Sequence, residues 1–259
     1  MGEIYFKERG KGFPLILIHG FCETSEIWDA LAERLSHDFR VITPDLPGFG
    51  DSPLPSGEIS IVGIATLLND WLHQIGISNG VVIGHSLGGY VTLSMVAQKP
   101  ELIKGFGLFH STAFPDSEEK KLNRNKVFEF VDKNGALPFV DTFVPGLFWQ
   151  KENSSIGHVH SIASKTKKET LLAYTLAMRD RPEQTSLLSS YGGESLFLAG
   201  RYDSLIPCAV IEDQARLSQR SEFQILENSG HMGMFEDAET AFKVIQRFGI
   251  NVRNQASIH

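Results

Sequence analysis

The sequence predicts an α/β fold with a mostly parallel sheet, helices on both faces and an inserted helical cap. Short apolar runs alternate with amphipathic helical patterns as far as about residue 110. This alternation stops over residues 113–188, which have helical patterning and no convincing strand, and resumes after residue 189. We therefore predict a core domain formed by residues 1–112 and 189–259, interrupted by a helical cap at residues 113–188.

The N-terminal part of the core begins with two predicted strands. Ile4 to Glu8 alternates apolar and polar residues, and Pro14 to Ile18 is a continuous apolar run after a Gly-rich turn. Together they predict an edge hairpin that leads into the sheet. The next strands are predicted near residues 39–43, 80–83 and 103–109, and the helices near residues 24–35, 59–75 and 88–99.

The C-terminal part of the core repeats the same alternation twice. Strands are predicted at residues 195–199 and 223–226, and helices near residues 209–217 and 236–248. The polar tail from Asn251 onward is expected to be frayed.

The segment Gly84-His85-Ser86-Leu87-Gly88 joins a buried strand directly to a helix. A serine between two such glycines, at a sharp strand-to-helix turn, has the nucleophile-elbow pattern. The turn exposes the hydroxyl and strains the serine backbone, while the glycines leave room for neighbouring backbone. A chance Gly-rich turn is the alternative, but the strand before and the helix after Ser86 favour a nucleophile.

An oxyanion requires two backbone donors, and the turn at Ser86 supplies only one, the amide of Leu87. Another strand ends in His19-Gly20-Phe21, where the glycine allows the chain to turn back. The Phe21 amide is therefore the predicted second donor, although a plain strand-ending turn would have the same sequence.

Asp203 and His231 also lie just beyond predicted strands, so the order along the chain is Ser86, Asp203, His231. In this arrangement His231 is the general base, and Asp203 orients its imidazole. Asp116 is the alternative acid, whereas Asp45 is expected to hold its own loop. The other histidines considered for the base are His19, His85, His110, His158 and His160.

The cap is expected to roof Ser86 and to shape a substrate pocket. The candidate pocket residues are Phe143, Leu147, Phe148 and Trp149. Any of these bulky apolar side chains could instead belong to a small core within the cap.

Motifs at the strand ends identify a family. They are His19-Gly20-Phe21, Pro44-Asp45-Leu46-Pro47-Gly48-Phe49-Gly50-Asp51-Ser52, Gly84-His85-Ser86-Leu87-Gly88-Gly89, Gly200-Arg201-Tyr202-Asp203 with Ile206-Pro207, and Gly230-His231. The chain resembles the α/β-hydrolase superfamily, most closely its small cytosolic esterases, enol-lactonases and cofactor-free haloperoxidase-like enzymes. The resemblance implies a Ser86–His231–Asp203 triad and oxyanion amides at Phe21 and Leu87. Dehalogenase and epoxide-hydrolase relatives have Asp where this chain has Ser86.

Composition limits the partners. The net charge of −7 disfavours nucleic acids and anionic membranes, and no apolar run reaches transmembrane length. Cys22 and Cys208 are expected to be reduced thiols, and with no recognisable signal peptide this predicts a cytoplasmic protein. We expect a small-molecule substrate and neither cofactor nor metal; the pair His158-x-His160 has no nearby acidic or thiol partner in the sequence. The sequence leaves the oligomeric state open.

Three functions fit these residues. The first is a serine hydrolase that cleaves a small carboxylic ester, thioester or lactone through an acyl-enzyme. The second is a C–C bond hydrolase or a lyase on the same fold. The third is a non-catalytic small-molecule receptor, which the intact set of triad and oxyanion residues disfavours.

Overall fold

The computed structural model describes residues 3–257, which contain one seven-stranded sheet. The strands are β1 Phe6–Arg9, β2 Pro14–Ile18, β3 Arg40–Pro44, β4 Gly80–His85, β5 Ile103–Phe109, β6 Glu194–Gly200 and β7 Ser221–Leu226. They lie in the order β1-β3-β2-β4-β5-β6-β7. Every neighbouring pair is parallel except β1 and β3. The predicted fold class is confirmed.

Helices connect the strands. They are α1 Asp29–Leu35, α2 Ile61–Gln74, α3 Leu87–Gln98, α4 Glu118–Asn134, α5 Leu137–Leu147, α6 Ile156–Ala163, α7 Lys168–Arg179, α8 Thr185–Ser190, α9 Cys208–Ala215, α10 Gly233–Glu236 and α11 Ala238–Ala256. A 3₁₀ turn, Ser25–Trp28, precedes α1, and the Thr24 side chain caps it. Between residues 3 and 257, none of the helices has the length and apolar character needed to cross a membrane.

The predicted edge hairpin is wrong. β1 pairs antiparallel with β3, so that Phe6 lies opposite Pro44, and β2 lies on the far side of β3. The turn after β1 therefore leads to β2, which lies two positions away in the sheet, with β3 between the two strands. Periodicity identifies a strand and its buried face, but pairing depends on contacts that are distant in sequence.

Helices cover both faces of the sheet. A Cβ at Gly105 in β5 would lie 2.7 Å from Cγ2 of Val252 in α11, so α11 packs closely against this face of β5. Successive side chains of a strand point to opposite faces. The ring of the next residue, Phe106, accordingly lies on the other face, 5.1 Å from the ring of Tyr191, which follows α8.

The C-terminal tail is helical rather than frayed. α11 continues to Ala256, and Val252 is fully buried within it. The prediction of a frayed tail is therefore wrong for residues 251–256; its last two residues, 258 and 259, lie outside the described residues. Most residues of this segment are polar, but the apolar Val252 among them packs against the sheet at Gly105.

Parallel pairing brings the ends of β4, β5, β6 and β7 to one edge of the sheet. Gly84 lies opposite Leu108 in β5, and Ala199 in β6 lies opposite Ile225 in β7. The loops that follow these strands carry the predicted functional residues. In such sheets, ligands bind beyond the carboxyl ends of the strands.

Five helices, α4 to α8, occupy the chain between β5 and β6, in the region predicted to be a cap. A buried ion pair joins the two ends of this segment, with Arg181 Nη1 2.7 Å from Asp116 Oδ1. The Arg181 guanidinium also donates to the carbonyls of Phe114 and Met178. It lies 4.0 Å from the ring centroid of Tyr90 in α3, so it ties the helical segment to the core.

Asp116→Asn should destabilise the protein by about 3 kcal/mol, because it leaves the buried Arg181 guanidinium without a counter-ion. The matched control is Asp141→Asn, whose exposed pair with His160 should contribute less than about 1 kcal/mol. Urea unfolding of both variants measures the difference. Equal unfolding midpoints for Asp116→Asn and the wild type would contradict this role of the ion pair.

Candidate active site

Ser86 lies between β4 and α3 in a backbone conformation that L-residues rarely adopt, with φ 49° and ψ −114°. Three contacts hold it there. The Ser86 amide donates to the carbonyl of Phe109, and the Ser86 carbonyl accepts from the Gly89 amide and from the Ser111 hydroxyl at 2.6 Å. The turn is therefore a fixed feature of the fold that presents the Ser86 side chain at the edge of the sheet.

The glycines around Ser86 allow three backbone segments to meet. A Cβ at Gly84 would lie 2.2 Å from the carbonyl carbon and oxygen of Gly88. A Cβ at Gly88 would lie 2.5 Å from the carbonyl oxygen of Ile18 at the end of β2. Real Cβ atoms do not approach backbone so closely, so glycine is required at both positions.

Asp203 and His231 meet at the same edge of the sheet. The Nδ1 of His231 lies 2.7 Å from Oδ2 of Asp203, and both side chains are buried. The other carboxylate oxygen of Asp203 accepts from the amides of Leu205 and Ile206, which fixes the carboxyl plane.

The charges of this pair support each other. Burial raises the pKa of the Asp203 carboxyl, but the His231 imidazole, together with His110 and the Ile206 amide, outweighs burial and lowers this pKa to about 2. Burial lowers the pKa of His231, but the charge and hydrogen bond of Asp203, together with the charges of Glu23 and Glu236, outweigh burial, and the net pKa lies above 6.5. Asp203 is thus an anion that stabilises an imidazolium at His231.

The residue before Ser86 touches the loop of His231. The Nε2 of His85 lies 2.9 Å from the carbonyl oxygen of His231, and the two ring centroids are 4.9 Å apart. Among residues 3–257, no hydrogen bond joins the Ser86 hydroxyl to His231, and none occupies Nε2 of His231.

The two predicted oxyanion donors are unpaired. In the described part of the chain, neither the Phe21 amide nor the Leu87 amide donates a hydrogen bond to another protein group. Leu87 is the first residue of α3, where helix amides have no partner within the helix. Buried amides are nearly always satisfied, so these two unpaired amides are exceptions to the usual pairing.

The cap residues predicted as pocket walls have different surroundings. The Phe143 ring lies 6.0 Å from the Phe21 ring and stacks on Phe139 at 4.9 Å, so α5 covers the turn that carries Phe21. Phe148 is buried and its ring is 6.5 Å from that of Phe235. Trp149 is partly exposed and stacks on Tyr202 with ring centroids 3.8 Å apart.

Leu147 supports the loop of His231 through its backbone. Its carbonyl accepts the His231 amide at 2.8 Å, and a Cβ at Gly230 would lie only 3.0 Å from the same oxygen. The end of α5 is therefore in direct contact with the loop that carries the predicted base.

Sequence reasoning did not identify Glu236. Its Oε1 accepts the Trp149 amide at 2.7 Å, and its Oε2 accepts the amides of Gly230 at 2.9 Å and Met232 at 3.3 Å. One carboxylate thus joins the cap to both sides of His231. An acidic residue shortly after Gly230-His231 was the available signal, but its partners are backbone groups that no sequence pattern reveals.

The alternative acids and bases have other partners. Asp116 is paired with Arg181 and Arg124. Asp45 holds its own loop, as predicted, because its carboxylate accepts the amides of Ser25 and Asp51.

Two of the alternative histidines support loops, as predicted. His19 Nε2 accepts the Leu46 amide and His110 Nδ1 accepts the Gly200 amide. Burial lowers the pKa of His110 well below 6.5, which keeps its ring neutral. In the cap, His160 pairs with Asp141, and the exposed His158 lies beside the Phe235 ring. Across residues 3–257 no group of three His, Cys, Asp or Glu side chains is arranged to hold a metal ion.

A family model described as the alpha/beta hydrolase fold matches residues 14–145, which include the Phe21 turn and the Ser86 turn. The chain belongs to the α/β-hydrolase fold family. The present chain is similar to the solved structure of a thermophilic esterase from Thermogutta terrifontis. The similarity covers 97% of the present chain and 94% of the esterase chain, with a TM-score of 0.93 and 30% sequence identity.

More distant similarities agree with this family. The enol-lactonase from Burkholderia xenovorans LB400 has the same fold, with a TM-score of 0.87 and 19% identity over 95% of this chain and 96% of that one. The pimeloyl-[acyl-carrier protein] methyl ester esterase of Vibrio cholerae is 24% identical over 91% of this α/β-hydrolase and 94% of that enzyme. The chain spans 29% of the length of the first curated relatives that it matches, uncharacterized mycobacterial proteins that are 36% identical over 98 residues.

Gly84→Ala should lower the thermal stability of this α/β-hydrolase, because the added Cβ meets backbone that cannot move aside. We expect a loss of about 1–3 kcal/mol. Gly157→Ala in α6 is the control, since a Cβ there has open space and alanine favours a helix. Thermal unfolding measures both. An unchanged midpoint for Gly84→Ala would show that the turn is not as tightly constrained as described.

Proposed function

We propose that this protein is a serine hydrolase that cleaves a small carboxylic ester, thioester or lactone through an acyl-enzyme intermediate. The observation that carries the proposal is the 2.7 Å hydrogen bond between His231 and Asp203, made at the edge of the sheet where Ser86 is presented. The similarity to a thermophilic esterase over nearly the whole chain supports the same reaction class.

In the proposed reaction, His231 accepts the proton of the Ser86 hydroxyl while the oxygen attacks the substrate carbonyl. Asp203 holds Nδ1–H of the imidazole, which leaves Nε2 to receive that proton, and its charge stabilises the imidazolium. His231 then donates the proton to the leaving alcohol, thiol or enol oxygen. Water repeats these steps on the acyl-enzyme and releases the acid.

The proposed oxyanion hole consists of the Phe21 and Leu87 amides. Both are unpaired among the described residues, and Leu87 opens α3, whose dipole favours negative charge at that end. Donors of this kind stabilise the transition state most because they are oriented before the reaction begins.

The aromatic cluster around Phe21 supports an apolar acyl group. The Phe21 ring makes edge contacts with Phe49, Phe139 and Phe143 at centroid distances of 6.0–6.4 Å. Phe49 in turn lies 4.8 Å from Tyr174 of α7. Since Phe139 and Phe143 are only partly buried, we propose that they form the wall nearest the oxyanion hole.

Ser86→Ala and His231→Ala should each reduce turnover of p-nitrophenyl esters by about 10⁴-fold or more, because the members of a triad act as a unit. Acetate, butyrate and octanoate esters cover the acyl lengths. Ser94→Ala is the control, since this buried serine lies on α3 and its hydroxyl has no hydrogen-bond partner within the described chain. Its turnover should match the wild type.

A fluorophosphonate should form a covalent adduct on Ser86 of the wild type, which mass spectrometry of the digested protein locates. Folded wild-type protein that neither hydrolyses any of these esters nor reacts with the phosphonate would contradict the proposed function.

The value of kcat/KM should fall as the pH decreases through the raised pKa of His231, because only the neutral imidazole can accept the serine proton. The midpoint in the free enzyme should therefore lie above 6.5. Asp203→Asn removes the charge that raises this pKa, so the midpoint should move to lower pH while the rate falls by about 10⁴-fold. The measurement is kcat/KM for a p-nitrophenyl ester between about pH 5 and pH 9. A wild-type midpoint below 6.5 would contradict the electrostatic argument.

A further inference from the structure

A second buried carboxylate lies beside the proposed site. Glu23 is only 2% exposed, and it follows the turn of Gly20 and Phe21. Its Oε2 accepts the Gly20 amide at 2.5 Å and lies 2.9 Å from Nδ1 of His85. The same oxygen therefore contacts the turn that carries one proposed oxyanion donor and the residue that precedes Ser86.

His85 extends this contact to the proposed base. Its ring is fully buried, with Nδ1 toward Glu23 and Nε2 2.9 Å from the carbonyl oxygen of His231. A carbonyl oxygen can only accept, so Nε2 must carry a proton if this contact is a hydrogen bond. The Glu23 carboxylate can also only accept, so both contacts are hydrogen bonds only when both ring nitrogens of His85 carry protons.

The charge of Glu23 is maintained although the group is buried. Burial raises the pKa of its carboxyl, but His85, His19 and the Gly20 amide outweigh burial and the net pKa is below the usual value. This charge also reaches the base, because Glu23 adds to Asp203 and Glu236 in raising the pKa of His231.

The space around the carboxylate is closely matched to this arrangement. A Cβ at Gly20 would lie 2.7 Å from Oε2 of Glu23 and 2.7 Å from Nδ1 of His85. Glycine at position 20 is therefore needed for the contact between Glu23 and His85, because any Cβ there would meet both side chains. The His85 ring is also packed between Trp28, at 6.3 Å, and Phe109, at 5.9 Å, which restrict its rotation.

We propose that Glu23 and His85 are a positioning pair. They hold the turn at Gly20 and Phe21 and the loop that carries His231 at a fixed separation on either side of Ser86. The chain of contacts runs from the Gly20 amide through Glu23 and His85 to the His231 carbonyl. Neither residue contacts the reacting atoms; both act through the groups that do. This inference rests on the proposed serine-hydrolase function and adds two residues to its machinery.

Glu23→Gln tests the pair. An amide oxygen in the place of Oε2 can accept the Gly20 amide, but it can accept from His85 only if the ring proton lies on Nδ1. A neutral His85 would then lose the proton on Nε2 and its hydrogen bond to His231. We expect kcat to fall by about 10–100-fold with little change in KM, since a displaced catalytic group affects the transition state more than binding.

The pH profile separates positioning from a merely structural role. The groups that act on His231 are Asp203, Glu23 and Glu236, with His85 and His110 adjacent. Loss of the Glu23 charge should lower the pKa of His231. The fall of kcat/KM at acidic pH should therefore move to lower pH. The control is Glu26→Gln, which removes a carboxylate three residues away whose only ion pair within residues 3–257 is with Lys165, and which should leave kcat and the acidic side of the pH profile unchanged.

A measurement on the wild type does not depend on the folding of any variant. In protein with ¹⁵N-labelled histidine, long-range proton–nitrogen correlation spectra distinguish protonated from bare ring nitrogens. Nε2 of His85, assigned by comparison with His85→Gln, should be protonated in the wild type. A bare Nε2 would overturn the proposal whatever the kinetics show.

The kinetic outcomes separate the two proposals. If the wild type hydrolyses esters and Glu23→Gln matches it in kcat and pH profile, the positioning pair is wrong and the proposed function stands. If the wild type hydrolyses no ester and Ser86 does not react with a fluorophosphonate, the function is wrong and the pair has no reaction to serve.

Discussion

The backbone strain at Ser86 is the constraint on which the rest of the site depends. A positive φ at a residue with a side chain persists only where the surrounding structure enforces it. Here β5 supplies both Phe109, which accepts the Ser86 amide, and the loop that carries Ser111. The close approach of Gly84 to Gly88 requires that β4 and α3 meet without side chains between them. The hydroxyl of Ser86 is thus oriented by the sheet itself.

Much of the fold could be predicted from local patterns. The strand Ile103–Phe109 has the predicted bounds because it is apolar or glycine at every position except Lys104, and Pro100 precedes it closely. Partners could not be predicted in the same way. β1 pairs with β3 because residues that are distant in sequence, such as Phe6 and Pro44, match in register, and Val252 is buried because it packs against Gly105. Neither relation leaves a periodic signal in the sequence.

The site shows the same division between local and distant information. Ser86, Asp203 and His231 could be selected because each follows a strand, and parallel pairing then brings those strand ends together. Glu23 and Glu236 could not, since their partners are backbone amides, which no sequence pattern reveals, and the distant imidazole of His85. The isolated charge of Glu23 after Phe21-Cys22 was the one visible sign, because an acid seldom follows such an apolar stretch into the interior without a partner.

The hydrogen bonds that join the end of α5 to the His231 loop limit how this molecule can admit a ligand. Leu147 and Trp149 are bound through their backbones to the loop and to Glu236. A hinged movement that lifted the end of α5 would break those hydrogen bonds and disturb the alignment of the His231 imidazole. Entry that preserves the alignment must therefore use side-chain rearrangement or the far end of α5, where Phe139 and Phe143 lie. In the proposed hydrolase, the opening of this end of α5 and the alignment of His231 would therefore be mechanically coupled.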